Sequence, residues 1–549
     1  MKEASNRFEG IFNKGLRPFH KRTVPFQIYN LFNFRPTQSG IMPYSPVVIP
    51  ISEDVIETNN LDDEVFPFPQ LIVGKKHTFI GCSEKIYVVD PEDWDTITQL
   101  TTYGTGNPTV AKDITAGGIW ELADFWDSWF LTNGVCTVFG CGKDWIEAHI
   151  AQRVYVSDDT AIQAAVDYKG RVLFGGFDVH NFWSSTAKTF LTAWYKKNYD
   201  TLFDPSLTTE GELELAPVYE NFIWGSSIGG GDALLFFFPD KVLTTGLNTS
   251  SFGTDNPFYL EIMQRNEQIF APMPMQGQVL NFRKLGEGLC VFSADGVSHI
   301  KAVPSPSPTF NIQSLPKAGG IANRGAVASS ESEIVYVDNS GTLVKITAGG
   351  EVVRLGYKEY IYDLLEAGIV ISYSPDPYEG GYFISDGEQT FVLSDNGLFE
   401  VGHIVTSVFY KDGATVGMGT ALSGTANIVG EVGIDANDFG LSGVKTLEWV
   451  RVEVDETSVE DDPIPSLQVS IDYLYTNVGD GTWGSIGYRN VNKEGVVYFP
   501  VTGTKFRINI KVSNYANHSI IYAEVGIKQG DRRYTRHFSV GEANNRAGA

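Results

Sequence analysis

The sequence predicts an all-β fold: a roughly six-bladed β-propeller with a mid-chain insertion, then a C-terminal β-sandwich. Three observations lead there. A unit made of a short apolar run, an Asp/Asn-Gly turn and a second apolar run recurs along the chain. Outside one interruption the units are spaced by about 40–50 residues, the period that propeller blades need. After Val401 that spacing is lost and longer alternating runs begin.

The unit is clearest over 326–401. Ile334-Val335-Tyr336-Val337 leads into Asp338-Asn339-Ser340-Gly341 and on to Leu343-Val344-Lys345-Ile346. Gly381-Tyr382-Phe383-Ile384, Ser385-Asp386-Gly387 and Thr390-Phe391-Val392-Leu393 repeat the pattern, and Ser394-Asp395-Asn396-Gly397 turns into Leu398-Phe399-Glu400-Val401. Asn and Gly accept positive φ, so each turn folds one run back antiparallel on the last. The product is a meander, the unit of a propeller blade.

Taken in order, residues 1–65 are rich in proline and aromatics and read as an extended N-terminal arm. Units centred near 71, 118 and 164 open the propeller, assigned to 66–404. The third contains Ala164-Ala165-Val166-Asp167-Tyr168, Lys169-Gly170 and Arg171-Val172-Leu173-Phe174-Gly175-Gly176. The repeat then breaks over about 177–278. This stretch holds possible helices at 186–198 and 259–268, Gly229-Gly230-Gly231, and the apolar run Leu234-Leu235-Phe236-Phe237-Phe238. It reads as an insertion plus part of a blade, and units resume near 288, 334 and 382. Strand-like runs at 447–454, 467–475, 495–501, 505–512 and 519–525 predict a separate sandwich over 405–530. A basic tail, 531–549, follows.

The chain has 549 residues, 42% hydrophobic, 57 of them glycine, which suits many short strands and tight turns over several domains. No run of 18 apolar residues marks a membrane span, and the polar N-terminus leads into no signal-peptide core. The four cysteines, Cys82, Cys136, Cys141 and Cys290, are too sparse for a disulfide framework and read as reduced core residues.

Net charge is −25, which argues against tight nucleic-acid binding, since that needs clustered Lys and Arg. The charge is uneven. Residues 1–35 carry seven basic side chains against two acidic, and residues 528–549 carry five against two. The body between is therefore more acidic than the whole, and such a chain suits docking by its ends. Arg17, Lys21, Arg22 and Arg35 are the candidate docking residues, because they sit on an arm with little core of its own.

No catalytic, cofactor or metal site is expected. Asp435-Ala436-Asn437-Asp438-Phe439-Gly440 begins like a calcium loop, but Phe439 and Thr446 stand where oxygen donors are required. Asp480-Gly481-Thr482-Trp483 has the start of the Asp-box turn of sialidase-like propellers, yet occurs once and lacks the spaced second glycine. Tyr103-Gly104-Thr105-Gly106-Asn107-Pro108 lacks the third glycine and the helix of a nucleotide loop. The eight histidines show no HxH or HxxxH pairing.

Two stretches carry a family likeness: Phe310-Asn311-Ile312 through Gly319-Gly320-Ile321-Ala322 into Tyr336-Val337-Asp338-Asn339-Ser340-Gly341, and the unit over 165–176. Together with Asn30-Leu31-Phe32-Asn33-Phe34-Arg35-Pro36 before Gly40-Ile41-Met42-Pro43, they resemble the tail-nozzle or packaged-DNA stabilisation proteins of short-tailed bacteriophages. The resemblance implies a structural virion protein. It would form a homo-oligomeric ring, a hexamer, below the portal and adaptor and near the tail fibres. That ring retains genomic DNA and later conducts it without reading its sequence. An acidic wall fits such a conduit, because it repels phosphate. The rival expectation is a glycan-binding or glycan-cleaving propeller of a tailspike or secreted hydrolase.

Overall fold

The computed structural model describes residues 3–529 apart from 177–232, 238–269, 142–153 and shorter stretches at 9–11, 13, 19–26, 45–46, 105–106, 126–127, 158–162, 169–170, 273, 303–309, 379, 421–428, 440, 442, 457–465, 476–481 and 514–517. Within these bounds the chain is all-β, a propeller followed by a sandwich.

Each blade is built on a four-stranded antiparallel meander whose first strand lies innermost. Blade one is Gln70–Val73, Thr78–Gly81, Ile86–Val89 and Ile97–Gln99. Blade two has the inner strand Glu121–Phe125, then Ser128–Thr132, Thr137–Cys141 and Val154–Ser157, widened by Thr102–Gly104 and Asn107–Ala111. Blades three to six begin at Ala164–Tyr168, Val279–Leu285, Val327–Ser329 and Val370–Ser374, and each has four strands. The turns work as their residues dictate. At the first Asx-Gly turn, Gly341 has φ +79°, while Asp338 Oδ1 accepts the N–H groups of Ser340 and Thr342 at 2.9 and 3.0 Å. That side chain replaces backbone partners which the turn itself cannot supply.

The run Leu234-Leu235-Phe236-Phe237 is blade material. Ala233–Phe237 is the third strand of blade three, with Phe236 opposite Leu173, and Phe270–Pro272 is the fourth. The segments that connect these strands, 177–232 and 238–269, lie outside the described residues. The possible helices at 186–198 and 259–268 and the Gly229-Gly230-Gly231 run lie outside the described residues, as does the tail 531–549.

The ring has a seventh position. Ile404–Lys411 and Ala414–Thr420 form a two-stranded hairpin, and Ile404–Lys411 lies between the inner strands of blades six and one. Leu71 N–H donates to Ser407 Oγ at 2.7 Å, and Thr406 Oγ1 donates to Pro69 O. On the other side Ser374 Oγ lies 2.8 Å from Thr415 Oγ1. The boundary read near 404 therefore falls too early, and the hairpin belongs to the propeller. Its alternating apolar residues would suit a sandwich equally well; the hydroxyls that meet blades one and six decide the matter.

The arm has no core of its own but supplies other cores. Glu3–Phe8 pairs with His518–Gln529 of the sandwich. Val48 bridges Val416 in parallel, extending the seventh-position hairpin. Ile28–Phe32 inserts between the last strand of blade six and Val429–Asn437 of the sandwich. One nine-stranded sheet thus runs from blade six through the arm into the sandwich. The sandwich strands are Lys445–Glu456, Ser466–Leu474, Val496–Gly503, Lys505–Ser513 and His518–Gln529; in Val496–Gly503 and Lys505–Ser513 every second side chain is buried. That is the period-two pattern of a sheet with one face in a core.

Candidate functional site

The inner strands bring charged side chains together on the axis side of the ring. A charge in an otherwise apolar strand is expensive to bury unless it is paired. Glu121 opens the inner strand of blade two, and Asn281 and Arg283 lie on that of blade four. Arg283 Nη1 reaches Glu121 Oε2 at 2.8 Å and Nη2 reaches Oε1 at 3.1 Å. Arg283 also donates to Val327 O of blade five, from Nε at 3.3 Å and Nη2 at 3.2 Å. Asn281 is fully buried, and its Nδ2 donates to Glu121 Oε1 and Arg324 O, both at 2.7 Å.

A second group sits on blade three. Asp167, from its inner strand, accepts Lys284 Nζ of blade four at 2.8 Å and Lys75 Nζ from the first turn of blade one. Lys75–Asp167 and Arg283–Glu121 each join blades that are not ring neighbours, so each bridge spans the inner strand of the blade between. The inner strands are thus braced to one another. Beside them His77 Nδ1 meets Asp124 Oδ1 at 2.8 Å, and Asp124 Oδ2 accepts the N–H groups of Lys76 and His77. Burial by itself would raise the Asp124 pKa, but the His77 side chain and these backbone donors more than offset it and hold the carboxyl below its usual value.

Arg324, in the loop entering blade five, donates from Nη2 to Thr132 O of blade two at 2.6 Å. Burial pushes its pKa down to about 10, against the opposing pull of Glu121, and it stays protonated at neutral pH. The cluster offers fixed positive charge and bracing. Its signal in the sequence is faint: Asp167 stands in an apolar strand, as does Glu121, but nothing along the chain says which cation each will meet.

The predicted docking residues lie elsewhere. Arg17 is half-buried, with Tyr360 Oη donating to its carbonyl at 3.5 Å. Arg35, also half-buried, donates from Nη2 to Pro377 O at 3.0 Å. The two thus attach to different loops of the propeller, and Lys21 and Arg22 lie outside the described residues. In the calcium-like loop, Phe439 is buried 5.9 Å from Phe506, a core contact at a position where calcium would need oxygen. Cys82, Cys136 and Cys290 are buried thiols outside any disulfide, and burial raises the Cys82 and Cys290 thiols, keeping them protonated. Among the described residues no helix is long and apolar enough to cross a membrane.

The sequence matches no protein-family model and no curated protein. Several solved structures are similar at low level. PorZ of the type-IX secretion system of Porphyromonas gingivalis is 9% identical with a TM-score of 0.33, the match covering 71% of this chain and 45% of that one. The chain therefore spans under half the length of PorZ. The Pan2 WD40 domain of Neurospora crassa is 8% identical (TM-score 0.30, covering 62% of this chain and 81% of that one). AztD of Citrobacter koseri is 9% identical (TM-score 0.30, covering 64% and 90%).

Proposed function

We propose that this chain is a structural subunit of a short-tailed bacteriophage tail: a nozzle that forms a ring, a hexamer, below the portal and adaptor, retains packaged DNA and conducts it during ejection. The observation that carries the reading is the nine-stranded sheet in which the arm strand Ile28–Phe32 joins blade six to the sandwich. A wall that holds back packaged DNA must resist shear between its parts, and a continuous hydrogen-bonded sheet resists it better than a flexible linker. The bridges Lys75–Asp167 and Glu121–Arg283, each between blades that are not ring neighbours, support the same reading. A body of net charge −25 lining that conduit would keep DNA from adhering.

Two measurements test this. Light scattering of the purified protein, alone and with its adaptor, is expected to give the mass of a closed ring. Particles lacking the protein are expected to package DNA and then lose it. Particles that keep their genome and fail only to adsorb to cells would make the chain a receptor-binding protein instead.

A further inference from the structure

We infer that one outer face of the sandwich is a carbohydrate platform, centred on Trp449 and Tyr498, for a chain of equatorially substituted, β(1→4)-linked hexopyranose units. Three neighbouring strands build it: Val496–Gly503 at the sheet edge, then Lys445–Glu456, then His518–Gln529. Trp449 stands opposite Tyr498 on one side and Gly526 on the other. The site does not depend on how copies of the chain assemble.

Strand parity puts all three residues on the outer face. Ala523, Val525 and Ile527 are buried, so position 526 points outward. Val497, Phe499 and Val501 are buried, so Tyr498 points outward too, and it is 62% exposed. A Cβ on Gly526 would lie 2.1 Å from Trp449 Nε1, 2.2 Å from Cε2 and 2.7 Å from Cδ1. Adjacent ring atoms at such similar distances mean that the indole lies flat across the glycine. Its inner face rests on the sheet and its outer face is turned to solvent, which is why Trp449 is half-buried. Among the described residues no second ring and no cation stacks on it. Covering a strand glycine explains Trp449. It does not explain a tyrosine left in water on the next strand.

Area and charge select the ligand. A stable protein interface buries about 800 Å² on each side. Two aromatic side chains supply about 150–250 Å² apiece, and one face of Trp449 is already covered. Charged pairs close the patch on both flanks, Lys528–Glu448 at 3.5 Å and Arg451–Glu453 at 3.7 Å. Glu524, two positions from Gly526, stands on the same face opposite Arg451. Two cations against three carboxylates disfavour a nucleic-acid strand, whose bases would also stack on such rings. A pyranose fits what remains. Its C–H groups form a slightly positive apolar face for the negative faces of the rings. Its hydroxyls lie round the rim, where Arg451, Glu453 and Glu524 can bond them. With β(1→4) links and equatorial substituents the chain is a flat ribbon, matched to a ring lying flat on a sheet; an α(1→4) chain curls away.

The test uses the full chain and cellohexaose as the probe. Titration calorimetry is expected to show saturable binding with a Kd of about 1 mM or tighter. In saturation-transfer NMR the axial ring protons of the sugar are expected to gain more signal than its hydroxymethyl protons. Tyr498→Ala is expected to keep the wild-type Tm and to weaken binding about fivefold, and Trp449→Ala to weaken it about tenfold. No saturable binding of cellohexaose by the wild type overturns the inference. Undiminished binding by Tyr498→Ala, or tighter binding of maltohexaose than of cellohexaose, overturns it as well. Tyr498→Ala leaves Gly526 covered, so the test stands even if Trp449→Ala fails to fold.

Discussion

Glu121 closes on Arg283 through both carboxylate oxygens, at 2.8 and 3.1 Å, and so ties blade two to blade four past the inner strand of blade three. Glu121→Ala removes the carboxylate that binds Arg283 and acts on Arg324. Breaking a buried pair from one side typically costs about 3–5 kcal/mol. Urea unfolding of the variant is expected to show a loss in that range. The double substitution E121L/R283M is expected to cost less than E121A, because it removes opposite charges together; a double variant at least as unstable as the single would refute the account.

His403 stacks on Tyr44, ring centroids 6.1 Å apart and nearly parallel, and burial lowers its pKa from 6.5 to about 4. The neutral ring is the folded form, whereas the unfolded chain takes up a proton near 6.5. Stability from this site is complete above that pH and is lost as pH falls from 6.5 towards 4. The total at stake is about 3 kcal/mol. His299, lowered in the same direction by burial and then by Lys301, adds to the slope. Tm measured at pH 7 and pH 5 should fall on acidification, and less so in His403→Phe; an equal fall in both would remove His403 from the explanation.

Phe34 is fully buried, and its ring lies over Gly430, where an added Cβ would come within 2.3 Å of Cε2. Phe34→Ala is expected to cost about 3–5 kcal/mol, the usual range for emptying a buried aromatic site. Because the arm joins blade six to the sandwich, limited proteolysis should then cut between the two faster than in the wild type. An unchanged cleavage pattern would show that the arm is not what holds them together.

Glutamate at Arg17, Lys21, Arg22 and Arg35 together is expected to weaken assembly into particles and to change its salt dependence. Arg35→Glu alone also breaks the bond to Pro377 O, so its effect on folding must be measured separately. Exposed ion pairs are worth less than about 1 kcal/mol each, and the expected effect is therefore larger on assembly than on Tm. If assembly and its salt sensitivity are both unchanged, the arm is not an electrostatic dock.

The sequence by itself determined the all-β class, the blade units and the sandwich strands. These rest on properties of near neighbours: Gly341 accepts a positive φ wherever it is placed, Asp338 caps its own turn, and 505–512 alternates whatever lies opposite. Only the tertiary structure decided that 404–420 fills a ring position, that Phe236 belongs to a blade, and that Ile28–Phe32 joins two domains. It alone brought Glu121 to Arg283, 162 residues away, and Arg324 to Thr132, 192 residues away. Local pattern tells a strand which of its faces to bury. It does not name the partner, because ring closure and counter-charge depend on distances through space that no spacing along the chain encodes.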